Sequence, residues 1–131
     1  MLLRLILTLP MLLTACQGDE TVSGYADPGA VYVLRELDGA VFPARATISF
    51  PQAGRVAGAG PCNSYSAQQT APYPWIRIET IVATRRGCAA LGLEAAFFTG
   101  LRSATLVEVA GDVLILSDDA GGQMVFRADP G

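Results

Sequence analysis

The feature that most restricts this chain is a glycine-, proline- and cysteine-bearing stretch in its middle. Residues 54–65 read G-R-V-A-G-A-G-P-C-N-S-Y, and residues 84–88 read T-R-R-G-C. Gly58 and Gly60 fall at alternate positions of a strand pattern, where glycine marks a bulge, a bend or a close backbone approach. Pro61 has no N–H to donate and a fixed φ, so strand pairing is expected to stop there. Asn63 suits the turn that follows, because its side chain can bond nearby backbone and it tolerates the left-handed region. The stretch is therefore either a ligand-contacting loop or a tight structural corner.

The rest of the pattern is strand-like on both sides of that corner. Residues 31–37 (V-Y-V-L-R-E-L) read as a first strand, with Asp38-Gly39 as a turn. Residues 46–50 (A-T-I-S-F) alternate, and P-Q-A-G at 51–54 connects them to a strand at 55–59. A polar strand over 64–69 and the turn A-P-Y-P lead to W-I-R-I-E at 75–79, which alternates as a strand should. Residues 89–102 form the helix candidate, with Ala90, Leu93, Phe97 and Leu101 on one apolar face. Three short strands follow at 105–109, 113–117 and 123–127, separated by Gly-Asp and D-D-A-G-G turns. Residues 113–116 are apolar on both faces and should lie inside the sheet. The expected fold class is α+β, mostly β: a compact, curved, antiparallel, barrel-like sheet with one packed helix.

The N-terminus has a different character. Residues 1–13 read M-L-L-R-L-I-L-T-L-P-M-L-L, one early cation followed by an apolar run too short to span a bilayer comfortably. The run ends in L-T-A-C, which resembles a bacterial lipobox with Cys16 as the lipidated first residue of the mature chain. The expected organisation is a lipoprotein signal peptide over 1–15, a lipidated Cys and flexible tether over 16–29, and one domain over 30–131. Gln17 is not the Asp that would retain a lipoprotein in the inner membrane, so the expected location is the outer membrane, facing the periplasm. A tether over 17–29 could reach at most about 45 Å.

The residues G-A-G-P-C-N-S-Y, followed by I-V-A-T-R-R-G-C, resemble the META/HslJ family of small envelope domains. Gly58, Gly60, Cys62, Asn63, Tyr65, Thr84 and Cys88 fall in register with that family's pattern. Pro61, Arg86 and Gly87 depart from it. The resemblance covers residues 30–127 and implies a stress-associated envelope module without an established catalytic activity. Both Cys62 and Cys88 are usually cysteine in the family, which fits a pair. With Cys16 lipidated they would also be the two thiols left in an oxidising compartment. A bond would close a loop of about 26 residues and contribute roughly 3.5 kcal/mol on the chain-entropy estimate. Two buried free thiols, acting as small hydrophobes, are the competing reading.

Few kinds of chemistry are open to these residues. The chain has no histidine, so Ser-His and Cys-His nucleophile pairs and the usual zinc hydrolase ligand sets are missing. Asp118-Asp119 sit in a turn and read as solvated rather than catalytic. Loss of residues 1–15 removes Arg4 alone among charged groups, moving the formal charge from −3 to −4, which does not suit nucleic-acid binding. Arg85 and Arg86 are the best polar candidates, an anion- or peptide-contacting pair or else plain surface arginines. The expected function is a lipid-anchored, non-catalytic envelope domain, with no catalytic residue, metal or cofactor. Asn63, Tyr65, Arg85 and Arg86 are its possible binding residues. The membrane, through the lipid, and an envelope protein or peptide are the expected partners. The alternative is a periplasmic enzyme inhibitor or small-ligand-binding module.

Overall fold

The structure, a computed structural model, describes Pro10 and residues 18–130. Cys16 and the expected signal peptide lie outside the described residues, except for Pro10. Among the described residues, nine strands form one antiparallel sheet: β1 (Tyr32–Leu37), β2 (Ala40–Val41), β3 (Thr47–Gln52), β4 (Gly54–Ala59), β5 (Ser64–Gln69), β6 (Glu79–Ala83), β7 (Leu106–Ala110), β8 (Val113–Ser117) and β9 (Gln123–Ala128). The order across the sheet is β6-β5-β4-β3-β1-β9-β8-β7, with β2 paired to β1 off this path. The sheet curls into a half-barrel and carries one helix, α1 (Leu91–Ser103).

Alternation along the strands builds the core. Ile48 and Phe50 of β3, Tyr65 and Ala67 of β5, Leu114 and Leu116 of β8, and Met124 and Phe126 of β9 are buried, while their neighbours are more exposed or polar. Phe97 and Leu101 of α1 are fully buried in the same cluster. The β8 strand is paired on both sides, by β7 and β9, as its two-faced apolarity requires. Positive φ at Asp38 (51°) and Gly39 (82°) makes the two-residue turn between β1 and β2.

Three expectations need correction. The segment W-I-R-I-E does not join the sheet as a strand; only Trp75 forms a bridge, to Leu106, and the strand begins at Glu79. Ile76 and Ile78 are still buried, so the alternation reports burial correctly. The backbone bonds go elsewhere: the Arg77 N–H donates to the side-chain Oε1 of buried Gln69 at 2.8 Å, and the Ile76 N–H donates to the Thr105 carbonyl at 3.0 Å. Gln69 also holds both backbone groups of Ala71, so one amide replaces a length of ladder. Second, β3 runs on through Pro51 to Gln52, because a register shift between Ser49 and Gln52 relieves proline of its ladder bond. Third, the tether expected over 16–29 is not a free linker in its described part. Val22–Gly24 form a 3-10 turn, Val22 and Ala26 are buried in the core, and the Tyr73 N–H donates to the Glu20 carbonyl at 2.7 Å.

Candidate functional site

The corner anticipated at Gly58–Tyr65 lies between the end of β4 and the start of β5, beside the N-terminus of α1. Pairing stops at Ala59, and the Gly60 N–H closes the turn by donating to the Asn63 carbonyl at 2.7 Å. Cys62 and Cys88 are disulfide-bonded, with their Cα atoms 5.8 Å apart. The competing reading of two free thiols therefore falls. The bond ties the corner to the loop that leads into α1.

Beneath the disulfide sits a carboxylate that the sequence analysis passed over. Glu94, in the first turn of α1, is 5% exposed. Its Oε2 accepts the backbone N–H of Cys62 and of Asn63, each at 2.8 Å, and its Oε1 accepts the Asn63 side-chain amide at 2.7 Å. Burial alone would raise the Glu94 pKa. The Asn63 amide and the two backbone N–H groups outweigh it and hold the carboxyl below the usual range. Its position near the helix start adds a favourable interaction with the helix dipole. The signal for Glu94 was in the sequence: an acid three residues before Phe97 and seven before Leu101 lies on the same helix face as those core residues.

Asn63 is the second part of the latch. Its Nδ2 donates to the Arg86 carbonyl at 3.1 Å as well as to Glu94, and its Oδ1 accepts the Thr84 hydroxyl at 2.9 Å and the Arg86 N–H. All four hydrogen-bonding positions of the amide are thus occupied. Tyr65 is also turned inward. Its hydroxyl donates to the Thr47 carbonyl at 2.8 Å, its ring meets Phe97 and Phe98 edge-on, and burial pushes its phenol pKa up. The polar groups of Asn63 and Tyr65, expected as possible binding residues, are hydrogen-bonded inside the domain.

The glycines have the same explanation. A Cβ on Gly60 would stand 2.6 Å from Glu94 Oε2, and one on Gly58 would collide with the Thr47 carbonyl that Tyr65 binds. Close backbone approach is what the alternating glycines serve here.

Arg85 and Arg86 are exposed on the loop between β6 and Cys88. The loop backbone is held by Asn63 and the disulfide while both guanidinium groups face solvent. Asp118 is a turn carboxylate: its Oδ1 accepts the N–H of Ala120 at 2.8 Å and of Gly122 at 2.7 Å. Among the described residues, no group of three or more His, Cys, Asp or Glu side chains is placed to hold a metal. A cleft of about 260 Å³ is lined by Leu37, Gly100, Leu116, Asp118 and Met124 among others, and Cys62, Asn63, Tyr65, Arg85, Arg86 and Cys88 are not among its lining residues.

Fold and corner together define a small class of protein: a disulfide-clamped, helix-bearing half-barrel whose corner polar cluster is bonded internally. Residues 28–130 match the META domain, and the chain belongs to that family. The fold is shared with an NMR structure of a protein from Burkholderia xenovorans (18% identity, 89% of this chain and 93% of that one, TM-score 0.64). It is also shared with a DUF4847 family protein from Bacteroides vulgatus (16% identity, 66% and 60% coverage, TM-score 0.56). No curated protein matches the sequence.

Proposed function

We propose that this META domain is a lipid-anchored, non-catalytic envelope protein with a binding role, of the stress-related kind its family resemblance implies. The observation that carries the reading is the corner itself. Its acid, its amide and its phenol all face inward and are matched by internal partners, so the cluster braces the surface above it. A disulfide suits an oxidising compartment such as the periplasm, and L-T-A-C supplies the anchor. Outer-membrane location follows from the residue after Cys16. Mass spectrometry of the native protein tests the anchor: a diacylglyceryl-modified Cys16 as first residue is expected, and an unmodified Cys16 would refute it.

One observation favours the inhibitor reading within the same frame. Arg85 and Arg86 project from a loop whose backbone is pinned from below, so little ordering cost would attach to binding a carboxylate-bearing protein or peptide there. In-cell crosslinking from the loop, with Arg85→Glu/Arg86→Glu as control, decides it. The expected outcome is a crosslinked partner that disappears in the reversed variant. A partner that persists unchanged would exclude this surface.

A further inference from the structure

The chain is fixed to the domain much closer to Cys16 than a tether over 16–29 would allow. Thr21 donates to the Asp19 carboxylate through its N–H at 2.9 Å and its hydroxyl at 2.6 Å, and the Ser23 hydroxyl bonds the same carboxylate. Val22 is buried, and the Glu20 carbonyl accepts the Tyr73 N–H. Only three residue steps separate Cys16 from Asp19. Such a lead spans at most about 10 Å when extended. A domain held that closely by a lipid must rest on the bilayer surface, on the face where residues 19–20 leave it.

That face carries exposed aromatic side chains. Tyr25 is 55% exposed and stacks on Tyr73, with ring centroids 4.1 Å apart at 14°. Tyr73 is itself bonded to Glu20, so the aromatic pair begins beside the anchor point. Two residues on, Trp75 is 57% exposed and bridges to Leu106, which is also exposed. The Tyr73 hydroxyl accepts the Val109 N–H at 3.2 Å, which lays that ring along β7. Exposed Glu108 and the acids Asp19 and Glu20 give the patch a polar rim. Trp and Tyr favour the interfacial layer of a bilayer, where the ring is half-desolvated and its polar atom stays hydrated.

We propose that Tyr25, Tyr73, Trp75 and Leu106 form a membrane-docking patch that seats the domain in the headgroup layer beside its own lipid anchor. The inference rests on Cys16 being lipidated. Exposed Arg77 beside Trp75 is paired with Glu79 at 2.6 Å, and the remaining charged neighbours Asp19, Glu20 and Glu108 are acids, so the contact is apolar rather than electrostatic and should survive raised salt. Docking supplies the second contact that fixes orientation, which a flexible lipid chain alone cannot do.

Trp75 is the only tryptophan, so it reports on the patch without ambiguity. The full chain is purified from membranes, its Cys16 mass is determined, and it is reconstituted into vesicles of phosphatidylethanolamine with a minor share of phosphatidylglycerol. Trp75 fluorescence is then quenched by aqueous iodide and, separately, by lipids with a nitroxide near the headgroup. The expected result is a several-fold loss of iodide quenching relative to an unlipidated Cys16→Ser chain in buffer. Strong quenching by the shallow nitroxide, unchanged by salt, should accompany it. A Tyr25→Glu/Leu106→Glu variant that retains its disulfide should lose the nitroxide quenching. If Cys16 is lipidated but iodide still reaches Trp75 freely, docking is wrong while the anchor stands. Shielding from iodide without nitroxide quenching would mean that protein covers the patch, and would overturn the proposal equally. An unmodified Cys16 removes anchor and docking together.

Discussion

At the scale of residues, Glu94 gathers three donors that would otherwise be left unpaired at a tight backbone corner. Glu94→Gln keeps one acceptor oxygen and turns the other into a donor, facing donors that cannot accept from it. Urea unfolding at neutral pH should show a loss of about 1–3 kcal/mol. The pH dependence follows from the sign of the shift. The folded carboxyl titrates below the ordinary value of 4.5, so its contribution is fully present above that value. It is lost as pH falls from there through the lower folded value. The wild-type protein should therefore lose stability on this acid branch, and the Gln variant should show a flatter one. The glycines can be ranked by what a methyl group would meet. Gly58→Ala confronts a strand carbonyl and Gly60→Ala a side-chain carboxylate, so thermal melts should place Gly58→Ala as the more damaging. Overpacking of this kind costs about 1–3 kcal/mol or more.

At the scale of elements, seven of the nine strands and the helix were anticipated; the short β2 was not, and β6 lies at Glu79–Ala83, after the segment expected to form that strand. Alternation in A-T-I-S-F and Q-M-V-F-R reports a half-buried strand because tertiary burial and local pattern agree there. W-I-R-I-E shows the limit of that logic. Its isoleucines are buried as alternation demands, yet a side-chain amide from Gln69 takes the bond a neighbouring strand would have made. Periodicity is blind to such a substitution. Gln69→Leu should therefore leave Arg77 and Ala71 unpaired and lower stability by about 1–3 kcal/mol, with faster amide exchange at Arg77 as the local readout. The candidate site was legible as a corner, since glycine, proline and asparagine each have a local reason to be there. Its binding character was not, because a polar residue in a turn reads the same whether its groups face water or the interior. Glu94 stayed hidden because the apolar face was drawn through Leu93, which is only half-buried, rather than through the acid beside it. The disulfide spans both elements. It closes a loop of 26 residues and pins the corner to the start of α1, so reduction should lower stability by about 2–4 kcal/mol. Denaturant unfolding with and without reductant measures this.

At the scale of the whole molecule, anchoring and folding should be separable. Among the described residues the core cluster runs from Val22 to partly buried Ala128, and Cys16 precedes Val22 by six positions in the sequence. No helix among the described residues is long and apolar enough to cross a membrane. In the proposed reading the lipid on Cys16 carries the attachment. A lipid contributes to membrane affinity through its buried methylenes rather than to the packing of the domain's sheet. Cys16→Ala should therefore move the protein out of the membrane fraction. If the altered chain is still exported, it should keep the Cys62–Cys88 bond and an unchanged melting temperature. The aromatic patch alone, a small interfacial surface rimmed by acids, should hold only a minor share of that variant on membranes. Fractionation of cells expressing each form, with thiol counting on the denatured, unreduced protein, reads both halves at once. Full retention of Cys16→Ala in the membrane would show that attachment does not run through that cysteine.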